Sequence, residues 1–196
     1  MRIETKIAIV AGTPMDTEMG AQVFSKYGDI IKHAISKTPV EQTFFQTQAH
    51  QKKSRYFDKL FEKFKQQKVN AVIIYCNSLS GAFDFTNLSE KYSIPVISPF
   101  GAYKRWAKKF SKIGILTANS QGASGIERVI VQSNPEIETL SVSNILWVNM
   151  IEEQYSPQEI IVKTGIKKIL EFFSVNQVDI IIMGCTHFPM LSSNIG

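Results

Sequence analysis

The chain has two cysteines, and each one follows a short apolar run of the same kind. Residues 69–75 precede the first cysteine and residues 178–184 precede the second. The residues that follow these runs are Cys76, Asn77 and Ser78, and Cys185, Thr186 and His187. Short runs of β-branched and aliphatic residues are typical of parallel strands buried on both faces. A thiol at the end of such a strand can lose a proton, and neighbouring amide, hydroxyl and imidazole groups can stabilise the thiolate or exchange its proton. The pattern therefore predicts proton transfer at two thiols.

A second pair of similar segments accompanies the cysteine runs. Lys6–Ala11 resembles Lys112–Thr117, and both pairs recur in the same order at nearly the same interval. This indicates an internal duplication into two α/β halves, residues 1–98 with Cys76 and residues 99–196 with Cys185. Each half is predicted to be a parallel sheet flanked by helices. Ligands bind at the carboxyl ends of parallel strands, so we expect an active-site cleft between the halves with one thiol on either side.

The remaining elements follow from apolar periodicity and turn residues. In the first half we expect a strand at 6–10, a helix capped by Asp16 or Thr17, a strand at 40–45, an amphipathic helix at 54–67, a helix at 80–92 and a strand at 94–97. In the second half we expect a helix at 102–110, a strand at 113–116, a polar turn at 118–124, a helix at 126–132, a strand near 138–142 and a helix at 157–173.

Composition excludes several classes of protein. Hydrophobic residues make up 44% of the 196 residues and charged residues 20%, which is typical of a globular domain. No run approaches the roughly 20 apolar residues of a membrane helix, and the chain enters a strand too early for a signal peptide, so we expect a cytoplasmic protein. The net charge of +5 comes from lysines scattered at helical spacing, which predicts solvated helix faces and no nucleic-acid partner.

The same residues predict a reaction without a metal or cofactor. Cysteine and histidine are too few for a structural zinc site, and there is no glycine-rich phosphate loop or dinucleotide fingerprint. Two thiols on opposite faces of one carbon can invert it, because one thiolate removes a proton and the other thiol delivers one. Asp16, in the turn after the first strand, can orient a substrate ammonium or assist the thiol on its side.

These motifs resemble the aspartate/glutamate racemase superfamily. Residues 184–189, Gly-Cys-Thr-His-Phe-Pro, look like the second-cysteine signature of glutamate racemases, and Cys-Asn-Ser at 76–78 resembles the first-cysteine motif. The resemblance implies cofactor-independent racemisation of an amino acid, two pseudosymmetric α/β domains and a homodimer. By resemblance Asp16 assists Cys76, His187 assists Cys185, and Glu152 is a carboxylate near the second cysteine. The expected substrate contacts are Thr17, Asn77, Ser78, Thr117 and Thr186.

The chain departs from the superfamily at two places, and the first of them leaves the substrate open. Residues 49–54 stand where glutamate racemases carry a Pro-Tyr-Gly loop that helps hold the substrate side chain. Most members also continue past the second-cysteine motif with a segment that returns to the first domain, and we expect that segment to be missing here. The leading prediction is a glutamate or aspartate racemase. The alternatives are a relative of hydantoin racemase, maleate isomerase or arylmalonate decarboxylase type, an inactive small-molecule-binding homologue, and a redox dithiol, for which the close Cys-x-x-Cys spacing is lacking.

Overall fold

The computed structural model describes residues 5–192, with side chains through Leu191. The chain separates into two compact units, with the boundary between Pro99 and Phe100. Within residues 5–192 no helix is both long enough and apolar enough to cross a membrane.

The first unit is a four-stranded sheet with helices on both faces. Its elements are β1 (Lys6–Ala11), α1 (Pro14–Phe24), a short 3-10 turn (Ser25–Tyr27), β2 (Asp29–Ala34), α2 (Pro39–Thr47), α3 (His50–Gln66), β3 (Ala71–Ile74), α4 (Asn77–Ala82), α5 (Thr86–Tyr92) and β4 (Val96–Ile97). All strand pairs are parallel and the strand order is β2-β1-β3-β4.

The central strands of this sheet are apolar throughout because both of their faces are covered. Ile7, Ile9 and Ile73 form a cluster against Phe24 of α1. The alternate residues of β1 and β3 belong to the main core, which is packed from the other side by α3 and α5. Side chains of a strand point alternately to its two faces, so helices on both sides require a continuous apolar run. The prediction of buried parallel strands is confirmed.

Helix α3 provides the aromatic part of that core. Its buried residues include Phe57, Leu60, Phe61 and Phe64, which lie on one helix face as the periodicity predicts. The ring of Phe57 lies 4.9 Å from that of Phe83 and 4.8 Å from that of Phe85, measured between centroids. Residues 83–85 thereby separate α4 from α5, whereas the sequence predicted one helix over 80–92. Burying an aromatic side chain of this kind contributes roughly 1.5–3 kcal/mol.

The second unit contains a three-stranded parallel sheet with the order β6-β5-β7. Its elements are α6 (Phe100–Trp106), β5 (Lys112–Thr117), α7 (Ser120–Ser133), β6 (Glu138–Ser143), α8 (Ile145–Glu152), α9 (Pro157–Thr164), α10 (Ile166–Val175), β7 (Ile180–Met183) and α11 (Pro189–Ser192). Gly165, with a φ of 69°, separates α9 from α10, which the sequence predicted as one helix.

Three strands of the first sheet have the same order as the three strands of the second sheet. β1 and β5 have six residues each and lie between two neighbours, while β3 and β7 have four residues each and precede the cysteines. β2-β1-β3 in the first unit therefore corresponds to β6-β5-β7 in the second. The predicted fold class, α/β with two parallel sheets flanked by helices, is confirmed.

Several predicted elements are wrong. Residues 40–45, predicted as a strand, lie in α2, and residues 50–54 of the expected substrate loop lie in α3. The expected polar turn at 118–124 is mostly the first part of α7. Strand β2 and helix α8 were not predicted. For α2 the physical reason is its start: Thr38 accepts a hydrogen bond from the Glu41 amide, and Pro39 occupies the first turn.

Candidate functional site

Each cysteine lies at the point where the strand order of its own sheet reverses. In the first unit the chain passes from β1 to β2 on one side and then to β3 on the other, so the carboxyl ends of β1 and β3 border a crevice. Open parallel sheets bind ligands at such switch points. Cys76 follows β3, and helix α1, which carries Asp16 in its first turn, follows β1. In the second unit Cys185 follows β7 and Thr117 ends β5.

Three side chains form a hydrogen-bonded row in the second unit. The Cys185 sulfur lies 3.6 Å from Nδ1 of His187, and Nε2 of His187 lies 3.0 Å from Oε1 of Glu152. The His187 side chain is 2% exposed and that of Glu152 is 20% exposed. The row joins the turn after β7 to the last residue of α8. The structure thus brings together the three residues that the resemblance associated with the second cysteine.

This row is suited to moving a proton to and from sulfur. A carboxylate can only accept hydrogen bonds, so Glu152 holds the imidazole with its hydrogen on Nε2. Nδ1 then faces the thiol as an acceptor, and it can take the S–H proton while Glu152 stabilises the resulting imidazolium. The arrangement thus offers a proton acceptor within reach of the Cys185 sulfur.

Close packing fixes the position of Cys185. A Cβ on Gly184 would lie 2.8 Å from the Thr117 methyl carbon and 2.9 Å from the Leu116 carbonyl oxygen, so glycine is required for β7 to approach β5 here. The Gly184 amide donates to that same carbonyl at 2.7 Å. On the other side of the turn, Phe188 packs edge-on against the buried Trp147 of α8, with ring centroids 5.5 Å apart.

The predicted substrate threonines of this unit lie beside the same turn. The Thr117 hydroxyl lies 2.7 Å from the Ser143 hydroxyl and donates to the Asn119 carbonyl at 3.1 Å. Thr186 is buried, and it stands between Cys185 and His187 in the sequence. Both therefore lie within the candidate site, and their contact with a substrate stays a prediction.

In the first unit, Cys76 is surrounded by side-chain donors. Nε2 of Gln42 donates to the Cys76 sulfur at 3.1 Å and to the Ser78 hydroxyl oxygen at 3.2 Å. Nε2 of Gln46 donates to the same hydroxyl at 2.8 Å, and that hydroxyl lies 3.4 Å from the sulfur. Of the predicted substrate contacts, Ser78 is thus next to the thiol, and Asn77 is buried at the start of α4.

Asp16 is held in one orientation by the turn after β1. Its carboxylate accepts hydrogen bonds from the amides of Gly12 at 3.1 Å and Thr13 at 2.7 Å, and from the Thr13 hydroxyl at 3.2 Å. It lies at the third position of α1, whose N-cap is Thr13, so the predicted cap at Asp16 or Thr17 is wrong. Asp16 instead completes a capping box by accepting the hydrogen bond of the Thr13 amide. The hydroxyl of Thr17 donates to the Thr13 carbonyl at 2.6 Å. Asp16 shares the sheet edge with Cys76, and its catalytic role stays a prediction.

Gln42 and Gln46 are the site residues that the sequence did not reveal. They were hidden because residues 40–45 were interpreted as a strand, and that interpretation gave no reason to expect either side chain beside Cys76. The signal was present in Thr38-Pro39-Val40-Glu41, a capping sequence that starts a helix. Among residues 5–192 there is no group of three or more His, Cys, Asp or Glu residues that could hold a metal ion.

Known proteins are similar to this chain in sequence. A glutamate racemase from Aliivibrio fischeri is 32% identical over 138 residues, which cover 70% of this chain and 50% of that protein. A glutamate racemase from Geobacter metallireducens is 24% identical over 180 residues, which cover 85% of this chain and 66% of that protein. This chain therefore spans about half to two thirds of the length of these relatives.

A solved structure has the same fold. Glutamate racemase from Francisella tularensis in complex with D-glutamate superposes with a TM-score of 0.77 at 24% identity, covering 98% of this chain and 72% of that one. Residues 29–196, which include both cysteines and the His187–Glu152 pair, match the family described as Asp/Glu/hydantoin racemase. On this match, which covers most of its length, the chain belongs to the Asp/Glu/hydantoin racemase family.

Proposed function

We propose that this protein is a cofactor-independent racemase of an acidic amino acid, with Cys76 and Cys185 as its acid/base pair. The observation that carries the proposal is the hydrogen-bonded row of Cys185, His187 and Glu152. A second thiol, Cys76, follows the corresponding strand of the other unit. A structural cysteine needs neither a proton-accepting imidazole nor a counterpart in a duplicated half.

The proposed reaction is two proton transfers at the α-carbon. One cysteine acts as a thiolate and takes the α-proton, which leaves the electron pair on the α-carbon and turns that cysteine into a thiol. The other cysteine acts as a thiol and gives its proton to the opposite face, which leaves it as a thiolate. For the reverse reaction the two residues exchange roles. His187 serves Cys185 by accepting its S–H proton and returning it.

Glutamate or aspartate is the proposed substrate. Support comes from the two curated relatives, both glutamate racemases, and from the solved relative, which was crystallised with D-glutamate. The buried polar groups near Cys76 and Cys185 are suited to a polar ligand. We further propose a homodimer, as the resemblance implies, which light scattering coupled to size-exclusion chromatography measures directly.

The decisive experiment follows the α-proton by NMR in deuterated water. L-glutamate, D-glutamate, L-aspartate and D-aspartate are incubated in turn with the wild-type chain, and inversion is measured on a chiral column. We expect one enantiomeric pair to exchange its α-proton and invert, and we expect Cys76→Ala and Cys185→Ala each to abolish inversion. Borohydride, which reduces a pyridoxal Schiff base, and a metal chelator should leave the rate unchanged.

Other outcomes separate the alternatives. Exchange of a 5-substituted hydantoin with no exchange of any amino acid would assign the chain to a hydantoin racemase and overturn the acidic substrate. Inversion that persists in either cysteine variant would overturn the two-thiol mechanism. If no compound exchanges while glutamate still binds in calorimetry, the chain is an inactive binding homologue.

A further inference from the structure

Two glutamines occupy the buried face of α2. Gln42 and Gln46 are four residues apart, so their side chains lie on the same face of the helix. They are 8% and 2% exposed, respectively. Glutamine is rarely buried, because its amide must find hydrogen-bond partners and its long side chain loses rotamer freedom. Two buried glutamines are therefore expected to have specific hydrogen-bond partners.

Those partners are Ser78 and Cys76. The Ser78 oxygen accepts hydrogen bonds from both amides, at 3.2 Å from Gln42 and 2.8 Å from Gln46. A hydroxyl has two acceptor lone pairs and one hydrogen, so the two amides leave Ser78 its hydrogen to donate. The Cys76 sulfur lies 3.4 Å from that oxygen, within donating distance. Gln42 also donates directly to the sulfur at 3.1 Å.

We propose that Gln42 and Gln46 are positioning residues that make the Cys76 sulfur a hydrogen-bond acceptor and so favour its thiolate form. Gln42 does this through its own N–H, and Gln46 does it by orienting the Ser78 hydroxyl. The catalytic meaning of the inference rests on the proposed function, whereas the effect on the thiol does not. A hydrogen bond donated to a charged form stabilises that form over the neutral one.

The two units therefore prepare their thiols by different means. Cys185 has an imidazole that can receive its proton, backed by a carboxylate. Cys76 has neutral donors from α2 and α4, which stabilise negative charge on sulfur, while the charged group of this sheet edge is the Asp16 carboxylate of α1. Loss of an amide donor should consequently raise the pKa of Cys76 and leave the titration of Cys185 in place.

The test is NMR of cysteine labelled with carbon-13 at Cβ, because the chain has only two cysteines and each resonance reports its own ionisation. Assignment comes from Cys76→Ser and Cys185→Ser. In Gln42→Leu we expect the titration midpoint of Cys76 to rise by about one pH unit, with that of Cys185 unchanged as an internal control. Gln46→Leu should give a smaller rise. Gln48→Leu is the matched control, because the Gln48 amide donates to the Phe44 carbonyl instead.

A second variant disturbs the hydrogen bond from Gln42 to Cys76 without changing Gln42 itself. The space of a Cβ on Gly12 is occupied by the side-chain amide of Gln42, so Gly12→Ala must push that amide away. We expect Gly12→Ala to raise the Cys76 midpoint as Gln42→Leu does, with circular dichroism confirming that each variant is folded.

The outcomes separate this inference from the proposed function. A Cys76 midpoint that stays in place or falls in both Gln42→Leu and Gly12→Ala overturns the inference, whatever the activity. A raised midpoint supports it, even in a protein that racemises none of the four amino acids. In an active protein, the pH profile of the direction in which Cys76 removes the proton should shift upward by the same amount.

Discussion

The chemistry proposed for the second unit depends on a contact between residues that are distant in sequence. Glu152 and His187 are 35 positions apart, yet their side chains meet at 3.0 Å. Glu152 has an acidic neighbour, Glu153, which is exposed. Two adjacent acids therefore lie at the end of α8, and only one of them touches the imidazole.

At the scale of the residue, we predict different effects for these two acids. His187→Gln should lower the rate of inversion by roughly 100-fold or more, because general acid/base groups contribute on that order. Glu152→Gln should lower it less, because that side chain acts through the imidazole. Glu153→Gln should have wild-type rates. Initial rates of inversion, measured from each enantiomer, test these effects. An equal loss of rate in Glu152→Gln and Glu153→Gln would contradict a role for the hydrogen-bonded row of Cys185, His187 and Glu152.

At the scale of the element, α2 shows how local preference is overridden. Val40, Thr43, Phe44 and Phe45 favour a strand by intrinsic propensity. The segment is nevertheless a helix, because Thr38 and Pro39 start it and helical spacing places Gln42 and Gln46 on one buried face. Lys53 of α3 then fixes the end of the helix: its ammonium donates to the Gln46 carbonyl at 2.9 Å and to the Ala82 carbonyl of α4 at 2.8 Å.

We predict that Lys53→Met destabilises the chain by about 1–3 kcal/mol, because it leaves two helix-terminal carbonyls without this donor. Burial lowers the pKa of Lys53, which agrees with an ammonium held away from water. The neighbouring Lys52→Met is the control, since Lys52 is exposed and its change should stay within roughly 0.5 kcal/mol. Urea denaturation measures the free energy of unfolding of both variants. Equal values would show that the two hydrogen bonds of the Lys53 ammonium contribute nothing to stability.

A second prediction at this scale concerns acid stability and the alignment of β7 with β5. The Asp179 carboxylate accepts hydrogen bonds from the amides of Ser111 at 2.8 Å and Lys112 at 2.9 Å, and these hold the pKa of Asp179 below its ordinary 3.8. The unfolded chain therefore binds this proton at higher pH than the folded chain does. The stabilising contribution is complete above pH 3.8 and is lost as the pH falls through the lower folded value.

Asp179→Asn should accordingly show a shallower loss of stability than wild type in acid, because the titrating carboxylate is gone. The measurement is the urea midpoint as a function of pH, from roughly pH 5 to pH 2. Glu90→Gln on the exposed surface of α5 controls for the change in net charge. If both variants follow the wild-type curve, the two backbone hydrogen bonds do not control the acid response.

At the scale of the whole molecule, the duplicated sheets each present one thiol at a switch point. The proposed reaction requires both thiols for every turnover. If both thiols of one chain act on one substrate, an equal mixture of Cys76→Ala and Cys185→Ala should be as inactive as either variant alone. Recovery of inversion in the mixture would mean that the acid/base pair is completed by two chains. A mixture of each variant with wild type controls for inhibition.

The sequence by itself determined the strands next to the cysteines, the duplication and the buried face of α3. These features depend on local periodicity, which burial imposes directly on the order of residues. The motif resemblance also placed His187 and Glu152 near Cys185. The tertiary structure alone decided that Gln42 contacts Cys76 and that Gln46 contacts Ser78, across 34 and 32 positions of the sequence. Such contacts depend on which strands pair and which helix face is buried, and no local pattern encodes either.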